Sequence, residues 1–499
     1  MSMPADSTKK APNVFLSVED GTGAPSGTGD IVKKSTTIVI NPGPPTPTPP
    51  PTSPYWISQG LAENKSFINS CIDSAGNSFG IGSNNLNQVY IVKYDPNGAL
   101  LWNYLYVNSR TVYGYGENTN MAVTADAGGS VIFVYRNSAD TGNVETVVIK
   151  LAADGNFLWQ YTIFIGESVA DDVSVNNLCT DSAGSIFIAG AMLSKSDATL
   201  QQAFAFKITS DGIRAWSRHY GDYYSNPGSF NAVVVDINNN AYFTGYTMVG
   251  GVAHTRLVIF DATTGLVTSQ STYAYNSINQ PELYVGFNPS GIVLDTAGNL
   301  YIAGTAGTFA VDGSLYAGML MKLDTNMNVV WTQKLTVIPG NLVGLITYGL
   351  AIDTNGSLYY VGYTLSDSAQ TPAFVIRYNS DGTIGLQADL ANTIGMFIGS
   401  AFNCNVSTLG TDMFIGGYFY DSSTNLSNDY IIKLPGYSLP AGTYGNLVYS
   451  TPMQPYQNES IVMAQYVEGC DTGPTGLAYT PSSATFSTMP GLTTTVYPI

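Results

Sequence analysis

Seven copies of one pattern run down this chain, and a repeat of that length leaves few ways to fold. The first half of each copy is an apolar segment, an Asp, a turn rich in Gly or Asn, a second apolar segment, and a Gly nine residues after the Asp. Asp73 with Gly82, Asp181 with Gly190, Asp236 with Gly245, Asp295 with Gly304, and Asp353 with Gly362 keep it. Two copies depart from it: Asp126 has Tyr135 at the Gly position, and Thr408 replaces the Asp ahead of Gly417. Successive anchors lie 53, 55, 55, 59, 58 and 55 residues apart.

The second half is an apolar strand ending in Lys, a short turn, and a Trp nine residues after the Lys. Lys93 and Trp102, Lys150 and Trp159, Lys207 and Trp216, and Lys322 and Trp331 keep that spacing. Arg377 and Lys433 hold the Lys position without a Trp, and the fourth copy has Ile259-Phe260 there. Four short strands in about 55 residues make one propeller blade. The expected fold class is therefore all-β, a seven-bladed β-propeller.

The fifth tryptophan addresses how the ring closes. Trp56 lies 17 residues before Asp73 with no Lys half ahead of it. The last copy has the reverse defect, because Leu-Pro-Gly-Tyr-Ser-Leu-Pro follows Lys433 and is too rich in Pro and Gly for a central strand. The start of the chain is expected to donate the outermost strand of the last blade, beside Asp429–Lys433. That protects the sheet edges which would otherwise meet there.

The whole pattern reads Asp-x-x-Gly-Asn-x-Tyr-hydrophobic-x-Gly, then hydrophobic-Lys-hydrophobic-Asp-x-x-Gly-x-x-x-Trp. It is clearest at Asp295–Gly304 with Lys322–Trp331 and at Asp73–Gly82 with Lys93–Trp102. Over residues 56–437 it resembles the SBBP-type seven-bladed β-propeller repeat of bacteria. The resemblance implies a propeller fold and a surface or extracellular module of varied binding role. It implies no particular activity, since function sits in sites grafted on a fold.

Four segments follow from these boundaries: an N-terminal β-rich anchoring arm (1–40), a Pro-rich linker (41–54), the propeller (55–437), and a C-terminal tail or small β-rich extension (438–499). In the arm, residues 13–18 and 36–40 read as short strands. The linker, with its Pro-Pro-Thr-Pro runs, reads as a semi-rigid polyproline II spacer. The tail has strand-like pieces at 446–450 and 460–466. It is expected to fold back on the ring, pair with the arm, or stay extended until it meets a partner.

Charge and composition exclude several classes. With 18 Lys plus Arg against 35 Asp plus Glu, the net charge is −17, and five of the Lys belong to the repeat. Binding to nucleic acid phosphates is not expected. No stretch reaches the ~20 apolar residues of a membrane helix, so no membrane insertion is expected, and the N-terminus lacks the apolar run of a secretory signal. Four Cys in 499 residues make no disulfide framework. Cys71 and Cys179, each two residues before a repeat Asp, read as buried free thiols, and Cys404 and Cys470 offer no metal spacing.

The repeat also sorts the two faces of the disc. Turns between first and second strands and between third and fourth share one face and are short and uniform, built on Asp-x-x-Gly. Asp suits such turns by bonding nearby backbone, and Gly by adopting positive φ; calcium loops would need alternating oxygen ligands and a distal Glu, which these lack. The recurrent Lys and Trp read as packing groups near that face, with Lys pairing with its blade's Asp. Longer connections (191–201, 247–254, 305–315, 364–371) and crossovers near 165–176, 219–230 and 273–287 mark the other face as the site for binding.

On that variable face stand three aromatic and amide-rich groups. They are Tyr113, Tyr115 and Asn118; His219, Tyr223, Tyr224 and Asn226; and Tyr275, Asn276, Asn279 and Glu282, the last with Tyr273 nearby. Flat rings beside amides and carboxylates suit a glycan or a protein surface; the alternative is that the rings fill gaps between blades. His219 and His254 fall in no metal spacing, and Glu167, Asp171 and Asp172 read as a solvated acidic loop. No catalytic residue, cofactor or metal is expected.

The flanks resemble the layout of phage tail fibres and other virion appendages, where the chain start docks on the particle. That resemblance implies a non-enzymatic virion protein in an oligomer or particle. Its partners would be other virion or surface proteins held through residues 1–40 and 438–499, and a cell-surface glycan or protein receptor. A bacterial surface lectin or adhesin, and a propeller lyase or hydrolase, are the alternatives.

Overall fold

The computed structural model describes residues 56–498 apart from the connections 61–64, 85–88, 107–120, 139–143, 166–170, 195–200, 221–226, 250–251, 278–279, 308–315, 338–341, 367–372, 393–396, 407–411, 422–425, 436–440, 445–446, 451–455, 462, 468–476, 483–485 and 488–493. Residues 1–55 lie outside the described residues.

The described strands form seven four-stranded antiparallel blades. Blade 1 is Lys65–Ile72, Ser78–Asn84, Val89–Tyr94 and Leu100–Tyr106. Blade 2 is Met121–Ala125, Val131–Ser138, Val144–Leu151 and Phe157–Ile165. Blade 3 is Asp171–Thr180, Ile186–Ser194, Gln201–Ile208 and Arg214–Tyr220. Blade 4 is Gly228–Val235, Asn240–Val249, Val252–Asp261 and Val267–Ser277. Blade 5 is Asn288–Leu294, Leu300–Gly307, Tyr316–Leu323 and Val329–Val337. Blade 6 is Leu342–Ile352, Leu358–Ser366, Ala373–Tyr378 and Ile384–Asn392. Blade 7 is Phe397–Val406, Asp412–Asp421 and Leu426–Pro435, with Trp56–Gly60 as its fourth strand.

The closing strand has the expected register, Trp56 opposite Lys433 and Gln59 opposite Tyr430. The first strands of successive blades touch in an unbroken circuit, blade 7 meeting blade 1. The molecule is a seven-bladed β-propeller closed by its N-terminal strand.

The core among the described residues is seven apolar clusters, one for each blade–blade interface. Tyr90, Val92 and Tyr94 of blade 1 meet Phe414 and Ile431 of blade 7; Phe79 and Ile91 meet Phe133 and Ile149 of blade 2; and so on around the ring. The inner strands of a blade therefore bury both faces, as Val89–Tyr94 does along its whole length, which is why they read as apolar runs, while outer strands leave residues such as Leu158 and Val330 exposed. Burying one such Ile or Phe contributes about 1.5–3 kcal/mol, so every interface holds its neighbours strongly.

The repeat Gly has a structural cause in the first strand. Opposite it the first strand carries a β-bulge: the register slips at Ile68, Asn176, Asn231, Ser290 and Tyr348. The bulge brings a backbone carbonyl against the second strand. A Cβ on Gly245 would lie 1.8 Å from the Ser229 carbonyl oxygen, and one on Gly362 2.0 Å from that of Ile346. Blade 2, where Tyr135 replaces the Gly, pairs Met121–Ala125 with Val131–Tyr135 without a slip. The residue and the bulge come and go together.

Beyond the seventh blade the tail turns back and runs around the rim against blade order. Leu447–Ser450 pairs with the outer strand of blade 6, Tyr456–Ser460 with that of blade 5, and Met463–Val467 with that of blade 4. Leu477–Ser482 follows on blade 2, Phe486–Ser487 on blade 1, and Thr494–Pro498 on Trp56–Gly60 of blade 7. All six pairings are antiparallel. Met463 is buried in the cluster between blades 4 and 5, so the belt is packed as well as hydrogen-bonded. Of the three fates open to the tail, it folds back on the ring.

Two expected loops prove to be strands. The acidic pair Asp171–Asp172 opens the first strand of blade 3, opposite Ser194 and Leu193. The crossover near 273–287 is a hairpin: Val267–Ser277 continues past the blade, and Gln280–Val285 returns against it. Inner and outer strands are simply longer than the repeat indicates. Cys71 is a buried free thiol, whereas Cys179 is only partly buried.

Candidate binding face

On the uniform face each repeat Asp is spent on its own turn. Asp73 Oδ1 accepts the N–H of Ala75 at 3.0 Å and of Asn77 at 2.9 Å, and Gly76 closes the turn at φ 82°. Asp126, Asp181, Asp236, Asp295 and Asp353 accept the same two backbone bonds. The second oxygen goes to the Lys of the same blade, at 3.7 Å for Lys93–Asp73, 2.9 Å for Lys150–Asp126 and 3.6 Å for Lys207–Asp181. In blades 4, 5 and 6 a Tyr hydroxyl donates there instead, from Tyr242, Tyr301 and Tyr359. Burial, reinforced by the Asp236 charge, pushes the Tyr242 phenol up to about 12.

Lys and Trp then clasp the next blade through one shared carbonyl. Lys93 Nζ and Trp102 Nε1 both donate to Ala153 O, Lys150 and Trp159 to Ser210 O, and Lys207 and Trp216 to Ala262 O. Lys433 reaches Pro96 O of blade 1 at 3.3 Å. Blade 7 lacks the repeat Asp, and Asp412 takes its place 3.3 Å from Lys433. Between blades 4 and 5, where Lys is missing, Tyr273 donates to Met327 O at 3.0 Å. In blade 5 the pattern lapses, because Trp331 Nε1 is buried without a hydrogen-bond partner.

The inner rim carries a second set of cross-blade bonds, made by amides. The bulge aims Asn176 at blade 4, where Nδ2 donates to Ser229 Oγ at 2.8 Å and Phe230 O at 2.9 Å. Asn231 repeats the gesture to Pro289 O of blade 5 at 3.0 Å, and Asn405 of blade 7 donates to Ser70 O of blade 1 at 3.0 Å. Sequence reasoning passed these by, although an Asn five residues before Asp181 and Asp236 was the signal.

At the bulge position that Asn176 and Asn231 hold in their blades, Tyr348 stacks on Tyr363 at 5.9 Å; beside other repeat Gly residues Tyr246 donates to Gln201 at 3.3 Å, and Thr305 and Thr347 are 2.9 Å apart across blades 5 and 6. Of the residues expected to bind on the variable face, Tyr113, Tyr115, Asn118, Tyr223, Tyr224, Asn226 and Asn279 lie outside the described residues. Tyr275, Asn276 and Glu282 are in the blade 4 hairpin rather than a loop, with Tyr275 opposite Val285 and Asn276 opposite Tyr284. His219 is also in a strand, the outer one of blade 3, opposite Phe204. Partial burial lowers its pKa below the usual imidazole value, which favours the neutral ring.

Two aromatic neighbours in those groups are fillers. Tyr220 is buried, gives its hydroxyl proton to Gln270, and lies 5.3 Å below the Arg256 guanidinium; Tyr273 is wholly buried. Among the described residues no group of three His, Cys, Asp or Glu is placed to hold a metal ion, and no described helix is long and apolar enough to cross a membrane. What the described part of the variable face offers is amides, hydroxyls and flat rings, with Asp171, Asp172 and Glu282 at the same end of the blades.

No family model matches the chain. A WD repeat-containing protein of Acanthamoeba polyphaga mimivirus, itself uncharacterized, is 28% identical over 183 residues, 33% of this chain and 13% of that protein. The chain thus spans a small part of that protein's length. Among solved structures, a polysaccharide lyase is similar at a TM-score of 0.44 with 9% identity, over 76% of this chain and 99% of the other. A glucose dehydrogenase is similar at 0.34 with 11% identity over the same shares.

Proposed function

We propose that this propeller is a structural and binding module of a virus particle, not a catalyst. Residues 1–40 anchor it, residues 41–54 hold it away from the anchor, and the variable face meets a cell-surface glycan or a protein receptor. One observation carries the reading: in blades 1 to 3 the recurrent Asp, Lys and Trp are spent on turns and blade clasps, and the opposite face is the one that varies and carries rings, amides and carboxylates. Such a surface recognises sugar hydroxyls or a protein by flat contact and hydrogen bonds. The similarity to a viral WD repeat-containing protein supports the virion placement.

The test is immunogold labelling of particles together with a glycan and cell-surface binding screen. Labelling on the outside of particles, with binding lost on Tyr348→Ala or Tyr363→Ala, is the expected result. Absence from particles, or turnover of a polysaccharide by the purified chain, overturns it.

A further inference from the structure

Blade 7 is the one blade, among the described residues, whose fourth strand does not follow its third through a turn. Trp56–Gly60 comes instead from the other end of the ring, and residues 1–55 are joined to the ring at Trp56. In sheet order it stands between Leu426–Pro435 and Thr494–Pro498, facing four residues of the first and five of the second. Its direction is fixed as well. Trp56 lies opposite Lys433, and Lys433 reaches Pro96 O in a turn of the uniform face of blade 1. The chain therefore enters the ring at the uniform face and runs toward the variable one.

We propose that this strand is a tension clamp: a pull arriving from residues 1–55 is carried in shear by Trp56–Gly60, gripped from both sides, and the ring stays closed under it. This rests on the reading of residues 1–40 as an anchor and says how the ring withstands being held by one. A displayed module is pulled between its anchor and whatever its variable face has bound. Ladder hydrogen bonds lie perpendicular to the strands. A pull along Trp56–Gly60 therefore strains the four pairs on one side and the five on the other together, not one after another. As an edge strand it would have only the four, so Thr494–Pro498 more than doubles the grip where the pull enters.

The load has a path onward into the ring. Asp429, on the strand beside Trp56–Gly60, accepts the buried Tyr90 hydroxyl of blade 1 at 3.0 Å. Lys433 on the same strand donates to Pro96 O at 3.3 Å, and Asn405 of blade 7 to Ser70 O at 3.0 Å. These bonds cross the seam between blades 7 and 1, which Tyr90, Val92 and Tyr94 fill against Phe414 and Ile431. Covering a bare sheet edge is the competing account of the tail strand. It treats every strand of the belt alike, whereas the clamp singles out Thr494–Pro498.

Single-molecule pulling of the full chain separates the two. One handle is fixed to the N-terminus and the other to an azide-bearing residue in place of Ser194, at the variable end of blade 3. Two variants damage the belt in the same way: Thr495→Pro with Val496→Pro against Trp56–Gly60, and Leu447→Pro with Val448→Pro on blade 6. Of two adjacent residues one turns its N–H to the partner strand, so each proline pair removes ladder bonding. Forced opening reports the unfolding barrier. The blade 7 variant is expected to open at about half the force of the unaltered chain, as the ladder count implies. The blade 6 variant should open at an unchanged force, although melting falls alike in both. Melting also shows that each ring is folded before it is pulled, and deleting 493–499 repeats the test without proline. An opening force that ignores the blade 7 damage overturns the clamp, as does an equal drop in both variants. Particles separate this from the anchoring reading: a chain begun at Thr52 that still takes its place in the particle sinks the anchor, while the force curves decide the clamp.

Discussion

In blade 7 the outer strand, Trp56–Gly60, is held on both sides, by Leu426–Pro435 and by Thr494–Pro498. In blade 3 the outer strand, Arg214–Tyr220, pairs among the described residues with Gln201–Ile208. Both blades come from the same repeat, and the difference follows from covalent continuity. Blade 7 is assembled from the two ends of the described ring, so nothing but ladders and side chains keeps it shut, and both ends are zipped into one sheet. Blade 3 sits between neighbours joined to it by chain.

The largest effect expected from this comparison lies in the Lys clasps. Lys207→Met in blade 3 leaves the Asp181 carboxylate, 11% exposed, without its cation and should cost about 3–5 kcal/mol in chemical denaturation. Lys433→Met in blade 7 should cost clearly less, because Asp412 is 30% exposed and water takes over. Equal losses would mean that burial does not set the strength of the clasp.

Next comes the belt. Deleting residues 493–499 removes the strand that covers Trp56–Gly60 and should cost about 2 kcal/mol, as its backbone groups return to water. Hydrogen exchange sharpens the contrast. The amides of Trp56–Gly60 should all be protected in the full chain and alternate amides unprotected after the deletion, since an edge strand turns every second N–H outward. Uniform protection after the deletion would mean that another segment covers that edge.

Acid should act through blades 4 to 6. Burial raises the Asp295 carboxyl, but hydrogen bonds from Asn299, Tyr301 and Ala297 outweigh it and hold it below the usual range. Asn328 does the same for Asp324, Thr383 for Asp381 and Thr264 for Asp261. A folded pKa below the unfolded value of about 3.9 contributes stability that is present above that pH and lost as pH falls through the folded values. Melting temperature should therefore be flat near neutrality and fall below about pH 4, and Asp295→Asn should make the acid limb shallower. An unchanged limb would remove Asp295 from the account.

The smallest effect expected is that of a chelator. The turn carboxylates already accept two backbone N–H groups and a side-chain donor, so melting temperature should not move. A large drop would assign the turns to a metal.

The sequence foretold the blade count, the closing pair of Trp56 with Lys433, and the Asp turns. It could not foretell the belt. Phe486–Ser487 is two residues long, and edge pairing uses backbone groups that every residue type carries, so no side-chain code marks it. His219 was read as a loop residue because the repeat marks where a blade's turns lie but not how far its outer strand runs. Asp412 was missed because it stands four residues from the position the repeat reserves for an Asp, and only the folded blade brings it to Lys433.

What the amino-acid sequence determined by itself is therefore the repeating unit: strand, Asp turn, strand, Lys, turn, Trp, all set by contacts within a few residues and by hydrophobic period. The bulge was written there too, in the Gly that faces it. The tertiary structure alone decided which carbonyl of the next blade the Lys and Trp of blades 1 to 3 would clasp, and which blade edges the described tail strands would cover. Those choices depend on where neighbouring blades stand in space, and backbone hydrogen bonds at a sheet edge accept any strand that arrives in the right direction.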